Sequence, residues 1–98
     1  MVVNAIVLIN VARAEVNSTA QKLLDIDGIS EVFSVAGRYD LVAVLRAQSN
    51  EHVADIVTQA VQQLPSITHT ETLLAFKSYN RVDMEAAFSI GNEEALGD

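Results

Sequence analysis

The sequence predicts an α+β domain of order βαββαβ, and three observations carry that prediction. Apolar residues recur with strand-like patterning in four stretches and with helical spacing in two, in that order along the chain. The two halves repeat, with strands starting near positions 2 and 29 in the first half and near 39 and 67 in the second. The central strands are apolar on both parities, whereas a two-layer domain ordinarily turns polar residues to the solvent side.

Val2 to Val11 is rich in β-branched residues and reads as the first strand. After Ala12-Arg13-Ala14-Glu15 the period changes, and Val16, Ala20, Leu23 and Leu24 fall on one face of a helix that Gly28 is expected to end. Ile29 to Ala36 follows as a second strand, with Ile29, Glu31, Phe33 and Val35 expected on one side. Gly37-Arg38 makes a tight connection into a third strand, Tyr39 to Ala47. Ser49-Asn50 offers a helix cap, and Glu51 places a negative charge where the helix dipole favours it. Val53, Ile56, Val57, Ala60, Val61 and Leu64 then form an amphipathic stripe that Pro65 closes. Ile67 to Tyr79 reads as a long fourth strand. This is the split βαβ, ferredoxin-like plan: a four-stranded antiparallel sheet with both helices on one face. Two helices cover one side only, so the doubly apolar strands imply a second subunit's sheet against the other, a sheet-to-sheet dimer of the dimeric α/β-barrel kind.

With 98 residues the chain is long enough for one core and too short for two independent ones. Half the residues are hydrophobic and aromatics are few, so the core is aliphatic. A net charge of −7 with only six Lys and Arg argues against direct binding to nucleic acid or to acidic membranes. The absence of cysteine excludes disulfides and thiolate chemistry and is compatible with a cytoplasmic location. The apolar start, about ten residues long, falls short of the roughly twenty that span a bilayer.

No sequence pattern for a nucleophile elbow, a zincin helix, a Walker loop or a dinucleotide fingerprint is present. His52 lies on the second helix; His69 and Glu71 share one strand face, which as a pair is too few ligands for a metal site. Asp25, Asp27, Glu93 and Glu94 read as solvated acids. The informative stretch is AGRYDLVAVLR, Ala36 to Arg46, in which Asp40 stands at the mouth of an apolar strand. Gly37 is what a turn requires, but a carboxylate beside free backbone N–H groups also offers what a zwitterion needs. The hydroxyls of Thr70-Glu71-Thr72 on the fourth strand are the matching feature.

The motif AGRYDLV followed by LPSITHTETLLAFK, from Leu64, resembles the effector domain of the Lrp/AsnC family, the feast/famine transcriptional regulators. In that family a G-x-[YF]-D hairpin precedes a helix ending in L-P-x-[IV] and a T-x-T strand. The resemblance runs from about Val2 to Tyr79. It implies an amino-acid-binding module that dimerises sheet to sheet and assembles into octamers or other rings of dimers, with a free amino acid held between dimers. Carried over, the ligand site would involve Gly37, Arg38, Tyr39 and Asp40 on the hairpin and Thr70 and Thr72 on the strand. Arg38 departs from the small or acidic residue often found at its position.

Full-length members carry an N-terminal helix-turn-helix, so the chain resembles a stand-alone version of the effector domain. The expectation is then residues 1–79 as ligand-binding domain and 80–98 as an extension with a short helix, Asp83 to Ser89, and an acidic tail. No catalytic residue, metal or cofactor is expected; the partners would be an amino acid, further copies of the chain and full-length relatives. The competing readings are a small dimeric α/β-barrel enzyme of the monooxygenase-like type, for which the strands offer only Asn4, Asn10 and Ser34, and an assembly module without ligand.

Overall fold

The structure, a computed structural model, describes residues 2–79 and 81; the short helix and acidic tail expected beyond Asn80 lie outside the described residues. Chain order is β1 (Val3–Val11), α1 (Val16–Leu24), β2 (Ile29–Ser34), β3 (Leu41–Ala47), α2 (Asn50–Gln59), a 3₁₀ turn (Val61–Gln63) and β4 (Ile67–Leu74). The strands form one antiparallel sheet in the order β2-β3-β1-β4, the ferredoxin-like arrangement that the βαββαβ pattern requires.

β1 is paired on both sides, and its alternation sets the core. Ala5, Val7 and Ile9 are fully buried on the helix side, beside Leu41, Ala43 and Leu45 of β3. Leu23 of α1 and Val53, Ile56, Val57 and Val61 of the second helical stretch complete the layer. Full burial of each larger aliphatic side chain contributes roughly 1.5–3 kcal/mol. As the sequence implied, α2 starts from Ser49, whose hydroxyl accepts the His52 N–H, and carries Glu51 in its first turn.

Four local expectations are corrected. Leu24 is half-exposed, and Thr19 is buried in the helix layer instead; its hydroxyl shares a 2.5 Å hydrogen bond with that of Ser66, whose carbonyl accepts the Ala12 N–H. α1 ends at Asp25, and Gly28 serves the entry to β2, with φ of +102°. The β2–β3 register shifts between Ile29 and Glu31, so Ile29 packs into the core while Glu31 and Phe33 stay exposed; strict alternation would have kept all three on one side. β3 begins at Leu41 rather than Tyr39, and β4 stops at Leu74, with Ala75 giving one last N–H to the Asn4 carbonyl.

The sheet face away from the helices is apolar and open. Ile6, Phe33 and Leu73 are each more than a third exposed, and Leu8, Val42 and Val44 are partly so. Among the described residues, no helix is long and apolar enough to cross a membrane.

Two glycines hold positive φ for different reasons, and substitution separates them. A Cβ on Gly28 would stand 2.6 Å from the Ile56 side chain, which is itself buried, whereas a Cβ on Gly37, at φ of +140°, meets nothing within 4 Å. Gly37→Ala is therefore expected to cost about 1 kcal/mol of backbone strain, and Gly28→Ala roughly 2–3 kcal/mol through strain plus displacement of Ile56. Urea denaturation of the two variants checks this; equal losses would show that the Ile56 contact does not matter.

Candidate ligand site

The residues singled out by sequence fall at two places, the β2–β3 hairpin and β4. On the hairpin, the Val35 N–H donates to the Asp40 carbonyl (3.0 Å), closing the turn around Gly37 and an exposed Arg38. The Asp40 N–H donates to the Ile9 carbonyl (2.9 Å). The Val11 N–H donates to Asp40 Oδ2 (2.8 Å), in a partly buried bond. The reason lies in β1. Its pairing with β3 ends at Ile9–Leu41, and its pairing with β4 is irregular between Asn10 and Val11. Val11 turns its N–H to the same side as Ile9, where β3 has run out, and the Asp40 carboxylate supplies the missing rung. Asp40 thus ties the hairpin to the end of the central strand while one carboxylate oxygen, Oδ1, makes no hydrogen bond to any described residue.

Tyr39 reaches over β1 to β4 on the open face. Its hydroxyl donates to Glu71 Oε1 (3.2 Å), and its ring stacks on His69 with centroids 6.4 Å apart and planes 20° from parallel. Desolvation against the sheet raises the Tyr39 phenol above its ordinary value of 10.0; the hydrogen bond and the charge of Glu71 add to the rise, and Arg38 opposes it. Tyr39, His69 and Glu71 form a polar island at the hairpin end of the apolar face. Among the described residues, no three His, Asp or Glu side chains stand close enough to share a metal ion.

Thr70 and Thr72 pair with Ile9 and Val7, which places both on the helix side of β4. Gln62 Nε2 donates to Thr70 Oγ1 (3.4 Å), and Thr72 opens into a cavity of about 320 Å³ against α2. Periodicity gave no reason to single out Gln62, because an exposed glutamine on a 3₁₀ turn has no pattern to betray it. β1 stands between Asp40 and the threonines, so two strand spacings, about 10 Å, separate them within one chain. The hairpin residues are brought together, Tyr39 is brought to β4, and the carboxylate and the threonines are not brought to one another.

A family model described as the Lrp/AsnC ligand binding domain matches residues 4–83. An uncharacterized HTH-type transcriptional regulator of Pyrococcus furiosus is 32% identical over 57 residues, which cover 58% of this chain and 38% of that relative. The match therefore spans well under half of the relative's length. Among solved structures, TTHA0845 from Thermus thermophilus is 39% identical with a TM-score of 0.76, over 81% of this chain and 99% of that one. A feast or famine regulatory protein from M. tuberculosis, complexed with L-methionine, superposes with a TM-score of 0.67 over 81% of this chain and 53% of that one; at 18% identity this likeness is one of fold.

The Asp40 bond makes a prediction about stability alone. Asp40→Ala leaves the partly buried Val11 N–H without its acceptor and is expected to cost about 1–3 kcal/mol, whereas Asp40→Asn keeps an acceptor oxygen and should lose less than about 1 kcal/mol. Thermal unfolding of both variants decides it, and equal losses would mean that the rung to Val11 contributes nothing.

Proposed function

The chain belongs to the Lrp/AsnC ligand binding domain family, and from that premise we propose that it is an amino-acid-sensing regulatory module whose site forms between copies of itself. The observation that carries this reading is the separation of its polar groups. The hairpin carries a carboxylate with an unpaired oxygen, β4 carries two threonine hydroxyls, and β1 keeps them about two strand spacings apart in one chain. A free amino acid presents an ammonium and a carboxylate only a few ångströms apart and needs both kinds of partner close together. Two copies can bring the hairpin of one to β4 of the other. The L-methionine bound to the mycobacterial relative of the same fold supports an amino acid as the ligand.

Assembly has its own support in the open sheet face. Ile6, Leu8, Phe33, Val42, Val44 and Leu73 form an apolar surface that a second sheet would cover, giving the dimer from which rings of dimers are built. The output passes to protein partners, full-length relatives of the family among them. The module's net charge of −7 makes it a poor ligand for DNA by itself.

Two measurements test the reading. Leu73→Lys, on the open face beside Ile6, is expected to give a monomer or insoluble protein, and light scattering showing an unchanged oligomer would count against the sheet-to-sheet dimer. A thermal-shift and calorimetric screen of the twenty amino acids should find binding to wild type that Asp40→Asn and Thr72→Val each weaken about tenfold or more, since hydrogen bonds to charged groups contribute roughly 1.5–3 kcal/mol. If no amino acid at millimolar concentration changes stability or assembly, the sensing function is lost.

A further inference from the structure

α2 packs over β3 and β1 and stops short of the edge strand, so the helix-side residues of β4 line an open groove rather than a core. That groove changes chemistry along its length. At one end Gln62, Thr68, His69 and Thr70 surround a space of about 350 Å³, with Ile67 as the apolar member. Two residues further along β4, about 7 Å on, Thr72 opens the second space, about 320 Å³, walled mainly by Val53, Ala54, Val57 and Leu74. No Asp, Glu, Lys or Arg lines either space.

From this gradient we propose that the module selects amino acids with apolar side chains of leucine or methionine size, the head group lying at Thr70 and Gln62 and the side chain running past Thr72 into the α2 end of the groove. The inference rests on the amino-acid-sensing reading and adds the side-chain class to it. The polar end supplies amide, hydroxyl and imidazole groups, which suit a carboxylate. The ammonium finds no acid in the groove, which is why the Asp40 hairpin of another copy is required. A charged side chain at the apolar end would be desolvated with no counter-ion, and a small one would leave the walls unfilled. Full burial of a leucine- or methionine-sized side chain favours it over alanine by about ten- to a hundredfold in affinity.

Ala54 tests the assignment because it is an exposed helix residue whose Cβ forms part of the apolar wall. Calorimetry on the full 98-residue chain would compare L-methionine, L-leucine, L-alanine, L-lysine and L-aspartate on wild type, Ala54→Leu and Thr70→Val. Methionine and leucine should bind wild type at least tenfold more tightly than the other three. Ala54→Leu fills the groove and should remove that advantage while leaving alanine within about twofold; Thr70→Val should weaken all ligands alike. Ala54→Glu, checked like the others by circular dichroism, should abolish methionine binding by placing a charge in the wall. Preference of wild type for lysine, aspartate or alanine would overturn the groove assignment and leave amino-acid sensing standing, as would Ala54 variants that affect every ligand equally or none. Absence of binding by any amino acid to wild type would overturn both.

Discussion

Two helices of nine and ten residues have to cover four strands, and most of the molecule's surface chemistry follows from what they leave bare. The helix layer seals the inner faces of the two central strands, where Ala5, Val7, Ile9, Leu41, Ala43 and Leu45 are fully buried. Its reach ends there. β4, at the sheet edge, keeps its helix-side residues exposed, and the opposite face of the sheet has no layer over it at all. The first exposure makes a groove and the second an apolar face. Neither is a packing failure: the same β1 alternation that fills the core also fixes which residues of β4 line the groove and which join the open face.

Asp40 links these two regions. Its carboxylate completes the ladder at the end of β1, and through its own N–H it fixes the hairpin to the Ile9 carbonyl. A structural bond of this kind does not compete with recognition, because a carboxylate has about four lone-pair sites and Val11 takes one. The bond sets the direction in which the remaining oxygen is presented. Tyr39 adds a second anchor from the same hairpin, by holding Glu71 and His69 of β4 across the open face. A hairpin pinned at two points presents its carboxylate with little entropy left to lose on binding.

The order of elements was legible in the sequence because strand and helix periods are strong and Gly37, Ser49 and Pro65 punctuate them. What was not legible depended on partners distant along the chain. The strand pattern continues through Ala75 and Phe76, yet β4 ends because β1 has no further residues to pair with it. Alternation put Ile29 and Phe33 together, and a single register shift against β3 separated them. Thr19 is buried in place of Leu24 because its hydroxyl meets Ser66, 47 residues away. The residues carried by the family resemblance were found where expected in the chain, on the hairpin and on β4. Their failure to converge could not be read from spacing, since it follows from β1 being threaded between them.

That threading couples binding to assembly. If the ammonium of a ligand is met by Asp40 of one copy and its carboxylate by Thr70 and Gln62 of another, the ligand has high affinity only for the assembled state. A ligand that binds one state alone shifts the equilibrium toward it by RT ln(1 + [L]/Kd), about 2.7 kcal/mol at a hundred times Kd. Each dimer-to-dimer contact would hold its own ligand, so the shift multiplies with the number of contacts in a ring, and a modest affinity per site suffices to drive assembly. Sensing then needs no change of conformation within the chain. The rigidity of the Asp40 and Tyr39 anchors becomes an advantage, because a hairpin that adapted to the ligand in the isolated chain would weaken the distinction between the two states.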